Sequence, residues 1–155
     1  MEVTPYSPSD LEDLLSNFDM RKIDREELLA QSGLEPYESL QEALKLSTYA
    51  WVARIEGKPV GVGGVVYPED GGGVPWFVRS EELFNKRLFE ANTYILGALD
   101  LFLTKTHYLA NFVAEDNKDT IRWLKFLGFT VTDDRYILQD PDKVFYHFYM
   151  VKGQQ

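Results

Sequence analysis

The sequence predicts a mixed α/β domain, a sheet flanked by helices, and three features carry that expectation. YAWVARIE and PVGVGGVVY are β-rich runs joined by Gly57 and Lys58, a tight hairpin signal. From Ser80 to about Thr106, the apolar residues Phe84, Leu88, Ala91, Ile95, Leu99 and Phe102 recur at helical spacing. KVFYHFYMV, beyond the turn-rich QDPDK, alternates its faces as a strand does.

The remaining elements follow in order. MEVTPY forms a short first strand. SPSDLEDLLSNF reads as a helix, with Ser9 as cap, Glu12 at the capping-box position, and Leu11, Leu14, Leu15 and Phe18 on one face. DREELLAQSG repeats that logic, with Asp24 as cap, Glu27 three residues later and Gly33 as the stop. PYESLQEALKLS places Leu40, Ala43 and Leu44 on one stripe, with Pro36 suited to a first turn. The glycines of GVGGVV lie inside a strand, where they mark a bulge or a close backbone approach and not a dinucleotide fingerprint. PEDGGG is a hairpin tip, VPWFVR a short strand, HYLANFV another, and FTVTDD the strand before the last. Trp51, Trp76 and Trp123 are anchors for a core or an interface.

A chain of 155 residues at 45% hydrophobic content is expected to form a single domain, residues 1–155, with its own core. Its net charge of −9 disfavours general affinity for nucleic acid or anionic membrane. The absence of cysteine removes disulfides, thiolate catalysis and zinc–thiolate sites, and fits a reducing compartment. With His107 and His147 as its imidazoles, far apart in sequence, the chain is not expected to build a histidine-rich metal site. No segment is apolar enough to span a bilayer and MEVTPYSPSD has no leader-like apolar region, so a soluble protein made in the cytoplasm is expected.

NKDTIRWLKFLGF, residues 117–129, is locally an amphipathic helix: Asn117 suits the cap, Ile121, Leu124 and Leu127 share a face beside Trp123, and Gly128 can end it. In its context, after a hairpin, a strand, a long helix and a strand, it resembles the N-x-x-A-I-x-F-Y-x-x-x-G-F pattern of the GNAT superfamily of N-acetyltransferases. Asn117, Thr120, Ile121, Trp123, Leu124, Gly128 and Phe129 occupy the successive positions. The resemblance spans roughly Tyr49 to Phe129 and implies a GNAT-like mixed, mostly antiparallel sheet. GVPWFVRSEEL together with LANFVAEDNKDTIRWLKFLGF is similar, more narrowly, to the GNAT-like internal virion proteins of short-tailed phages.

These likenesses imply competing functions. As a virion or assembly protein, the chain would act through other phage virion or host proteins, without catalysis or cofactor, in the host cytoplasm or within the particle. As an N-acetyltransferase, it would move acetyl from acetyl-CoA to an amine of a protein or small molecule. Lys86 and Arg87 would then hold the pyrophosphate, Asn117 the pantetheine arm, and Glu115, with Asp116 beside it, would be the base. A third reading keeps coenzyme A as a ligand without turnover. Superfamily members place a glycine-rich loop before the long helix, where main-chain N–H groups meet the pyrophosphate. The corresponding VRSEELFNKR contains no glycine, and a helix capped by Ser80 would put Glu81 and Glu82 in its first turn, where they repel a diphosphate; a helix starting later, near Asn85, would instead let Lys86 and Arg87 supply the charge in place of the glycine-loop amides. Leu124 stands where many members carry the tyrosine that protonates the thiolate; Tyr146 and Tyr149 are substitutes by residue type alone. His147, inside an alternating strand, gains no catalytic partner from its spacing.

Overall fold

The computed structural model describes residues 1–83 and 87–153. Its strands are β1 (Glu2–Pro5), β2 (Tyr49–Ile55), β3 (Lys58–Val66), β4 (Val74–Arg79), β5 (Tyr108–Ala114), β6 (Thr130–Ile137) and β7 (Val144–Val151). The helices are α1 (Leu11–Asn17), α2 (Lys22–Ser32), α3 (Pro36–Leu46), α4 (Leu88–Phe102) and α5 (Lys118–Leu127). The order matches the expected α/β class, and two of the boundaries shift for local reasons. The β2–β3 turn falls on Glu56 and Gly57, both at positive φ (51° and 80°), which is the twist a two-residue hairpin needs. Lys58 therefore already belongs to β3. The first helix is entered through a 3₁₀ turn at Pro8–Asp10, where Ser7 N–H donates to the Asp10 carboxylate at 2.9 Å. Ser7, not Ser9, starts it, because Pro8 presets the first-turn dihedral.

Strands β1–β4 form one antiparallel sheet in sequence order, and β5, β7 and β6 form a second. The sheets meet side by side at one point. Gly73 N–H donates to Tyr108 O at 3.0 Å, and Ala110 N–H donates back to Gly73 O at 2.9 Å. A parallel bridge, Gly73 to Leu109, is the result. PEDGGG is thus not a free hairpin tip; its last glycine is fastened to β5. Beyond that bridge β4 and β5 form no ladder, and the split between them is the feature that positions the site.

Alternation along the strands sends side chains into two cores. Val52, Val62 and Val78 pack with Leu14, Leu40 and Leu44 of α1 and α3. On the other face, Leu99, Phe102, Trp123, Leu124 and Leu127 of α4 and α5 pack with Val65 and Phe148. The strand glycines serve that second face. Phe77 and Leu83 fill the space over Gly61 and Gly63, and a register shift at Ala53/Arg54 lies opposite Gly61. A Cβ on Gly64 would sit 2.4 Å from Tyr49 O, a main-chain atom that cannot yield without disturbing the ladder. Both readings of those glycines, bulge and close approach, hold.

Gly64→Ala is expected to lower stability by about 1–3 kcal/mol through overpacking. Gly97→Ala, on the open side of α4 with nothing within 4 Å of the new Cβ, should instead add up to about 1 kcal/mol from helix propensity. Urea unfolding of the two variants checks both signs.

Candidate functional site

α2 lies along the split, and its inward stripe is polar. Gln31 donates to Asn111 Oδ1 at 3.2 Å near the bridge, where Asn111 Nδ2 also ties Pro75 O at 2.8 Å. One turn back, Glu27 Oε1 accepts from the main-chain N–H of Ala114, and Oε2 accepts from Asn117 Nδ2 at 2.8 Å. A further turn back, Asp24 Oδ2 accepts from Arg79 N–H at 3.3 Å. Carboxylates from one helix thus hold main-chain donors at the ends of both β4 and β5.

Two buried arginines complete the cluster. Arg21 donates to Asp24 at 3.3 Å, to Asp119 at 3.1 Å and to Asn117 Oδ1 at 3.4 Å, while its own N–H donates to Arg79 O at 2.8 Å. Arg79 donates to Thr120 Oγ1 at 2.9 Å and lies over the Trp123 ring, 4.8 Å from its centroid. Burial shapes the titration of Glu27, Asp24 and Arg79. It pushes Glu27 up to about 7, outweighing the donors Ala114 and Asn117, with Asp24 and Asp116 adding repulsion. It raises Asp24 against the pull of Arg79 and Arg21, and lowers Arg79 to about 10. Asp119 goes the other way: burial raises it, but the Arg21 hydrogen bond and charge hold it below the ordinary value.

After β4 the described residues form a short helical turn that starts behind Ser80. Ser80 Oγ accepts from Leu83 N–H at 3.3 Å, with Glu81 and Glu82 in the turn it closes, while α4 itself starts at Leu88 with Arg87 at its N-cap, nearer the late start that would bring Arg87 to the helix end. Ser80 N–H donates to Val60 O at 2.8 Å. Arg79, Ser80 and Leu83 therefore all have their main-chain donors engaged within the protein.

The residues proposed from sequence scatter around this cluster. Asn117 is in it and fully buried, but both ends of its amide are bonded, to Glu27 and to Arg21. It starts α5 without capping through its side chain, because the buried partners draw the amide inward. Glu115 accepts from the Tyr146 hydroxyl at 2.8 Å and pairs with Arg135 at 3.6 Å. That hydrogen bond raises the Tyr146 pKa, making the phenol a poorer acid. Asp116 is paired with Lys143 at 3.0 Å, and Arg87 with Glu90 at 3.4 Å. Lys86 lies outside the described residues. Leu124 is buried in the α4–α5 core. Tyr149 and His147 stack 5.9 Å apart on the second sheet, on the strand face opposite Phe148 and Leu124. Among the described residues no group of three potential ligands could hold a metal, and no helix is long and apolar enough to cross a membrane.

Asp24 and Glu27 were the residues missed. Read as a cap and a capping-box partner, they are instead inside a helix that begins at Lys22. Their signal is the spacing of Asp24, Glu27 and Gln31, which puts three polar groups on one helical stripe. Beside this stripe a cavity of about 380 Å³ runs through the split. Glu27 and Leu28 line it on one side of the sheet, Ile95 and Trp123 on the other, with Phe77 and Val113 between. Its size is that of a small-molecule site.

An antiparallel sheet pair split between β4 and β5, with two helices packed on the second face, is the fold of the GNAT N-acetyltransferases. The spermidine N-acetyltransferase of Vibrio cholerae, solved with CoA and spermine, superposes with a TM-score of 0.68 at 16% identity over 99% of this chain and 96% of that one. The ribosomal-protein-alanine N-acetyltransferase of Brucella melitensis gives 0.69 at 12% identity, over 97% and 99%. Smu.2055 of Streptococcus mutans gives 0.69 at 16%, also over 97% and 99%. These likenesses establish the fold. Residues 50–136, more than half of the chain, match the family described as bacteriophage T7, probable scaffold protein Gp13, and the chain belongs to that family. No curated protein matches it by sequence.

Because Glu27 binds its proton more tightly in the folded protein than in the unfolded chain, its contribution is present at low pH. It is lost as pH rises from about 4.5 to about 7. The loss amounts to roughly 3 kcal/mol. Glu27→Gln should flatten this slope while lowering stability at pH 5, since an amide must turn a donor toward one of two N–H groups. Urea titrations of both proteins at pH 5 and pH 8 measure it; equal losses would show that Glu27 does not titrate in this range.

Proposed function

We propose that this GNAT-fold phage protein works through protein–protein contacts during particle assembly or DNA ejection, and that acetyl transfer has been given up. The observation that carries this reading is the engagement of the split's polar donors by α2 and its neighbours. A coenzyme placed as the GNAT resemblance implies would use the main-chain donors where β4 meets the long helix, together with the Asn117 amide. Arg79 N–H serves Asp24, Ser80 and Leu83 N–H are bonded locally, and Asn117 is held by Glu27 and Arg21. Two further features support it. Glu81 and Glu82 add negative charge where the diphosphate would lie. Tyr146 is committed to Glu115, and Leu124 has no proton to give. The family's description as a probable scaffold protein agrees with a structural role. A fold retained while its chemistry is lost is an ordinary outcome, since function resides in the site.

The cavity favours a second reading, in which coenzyme A or a smaller acyl group is still held. It is largely apolar, of ligand size, and lined by residues from both sides of the split.

Thermal melting with acetyl-CoA separates them. A ligand present at a hundred times its dissociation constant adds about 2.7 kcal/mol of stability, a shift of several degrees. No shift with millimolar acetyl-CoA is expected, and no acetylated product from a panel of amines. A melting rise abolished by Arg87→Glu, or turnover on any amine, would overturn the proposal. Recovery of the protein in purified particles, at fixed stoichiometry to other virion components, is the positive result.

A further inference from the structure

The second sheet has a face that the helices leave open. Strand alternation puts Phe112 of β5, His147 and Tyr149 of β7, and Asp134 and Tyr136 of β6 on one side. Register agrees: Phe112 faces His147, and Tyr136 faces Phe145, whose neighbour-but-one is His147. The four rings form a connected group. Phe112 meets Tyr136 at 5.2 Å and His147 at 5.5 Å, both edge-on; His147 lies 6.4 Å from Tyr136 and 5.9 Å from Tyr149, stacked on the latter. α5 covers the opposite face, through Phe148 and Met150. α2 reaches only the end of this one, where Ala30 touches Phe112 and Phe145. Among the described residues, no buried cluster joins Tyr136 or Tyr149 to a helix, and Tyr136 is 39% exposed.

Charge says what suits this shelf. Asp134 is exposed on the same face and, among the described residues, forms no ion pair. The nearby cations on the sheet are already engaged: Arg135 with Glu115 on the other side, Lys143 with Asp116. Aromatic faces present negative potential, and so do a free carboxylate and a chain of net charge −9. A nucleic-acid strand, which also stacks on rings, would be repelled. A second copy would bring the same charge and a second Asp134 against the first. We infer that the Phe112–Tyr136–His147–Tyr149 shelf docks a lysine- or arginine-bearing segment of another protein, the cation over the rings and paired to Asp134. The bound segment would lie beside β6, an edge strand whose exposed Asp133 and Asp134 deter pairing with like-charged chains. This rests on the assembly reading only in taking the partner to be a protein.

Backbone and tyrosine-ring NMR shifts, followed while a ten-residue lysine–glycine peptide is added, test it, with a glutamate–glycine peptide as control. The expected result is saturable shifts centred on Phe112, Tyr136, His147 and Tyr149 with the cationic peptide alone. Asp134→Lys, an exposed change that leaves packing intact, should weaken binding at least tenfold, and Tyr136→Ala similarly; Glu42→Gln on α3, equally acidic and remote, should have no such effect. Shifts spread over the whole acidic surface, equal loss in Glu42→Gln, or a concentration-dependent dimer abolished by Tyr136→Ala would each overturn the proposal. Particle incorporation keeps the two readings apart. Wild-type protein in particles with undiminished Asp134→Lys incorporation sinks the shelf alone, whereas absence of wild-type protein from particles sinks the assembly role.

Discussion

Asp24 and Glu27 reach from one helix to the main chain of two sheets that are joined beside them by the Gly73–Leu109 bridge and the Asn111–Pro75 hydrogen bond. Most of the molecule depends on that reach. Where β4 and β5 part, each leaves donors with no neighbouring strand, and a buried N–H without a partner is costly. α2 supplies the missing acceptors as carboxylates. Burying those carboxylates would itself be unfavourable without Arg21 and Arg79 beside them. Each unfavourable burial in the cluster is thus offset by another group in it, which is why the members are found together.

Such clusters contribute specificity of arrangement more readily than net stability. A buried ion group can often be replaced by packed apolar residues at little loss, whereas removing one member leaves a charge stranded. The upward displacement of Glu27 and Asp24 shows the same tension: burial outweighs the arginines and the N–H donors for both acids. The cluster sets where α2 sits, and α2 in turn decides what the split can accommodate. The crevice combines an apolar cavity with main-chain amides that are bonded to α2.

The same arrangement accounts for the open aromatic shelf. Because α2 is drawn toward the β4–β5 split, it covers the second sheet only as far as Phe112 and Phe145. His147, Tyr149 and Tyr136 are left with one another for company. Commitment of α2 to one place and exposure of the rings in another are consequences of one geometric choice. The polar cluster and the exposed rings share β5, through Ala114 in the one and Phe112 in the other.

Local pattern alone determined much of this protein. The elements, the hairpin, the αL stop at Gly128 and the Ser80 turn that ends at Leu83 all follow from spacing, dihedral preference and side-chain length within a few residues. So does the meaning of Gly64, since a glycine inside a strand signals a close approach whatever the approaching atom. What the tertiary structure decided is the use of polar side chains that have two equally good local roles. Asp24 and Asn117 are natural caps by residue type, yet both turn inward, because a buried arginine or main-chain N–H across the chain is a stronger partner than a solvated helix end. Arg21 and Asp119 are 98 positions apart. No window of sequence holds both, and that separation is why the cluster could be recognised only once the chain was folded.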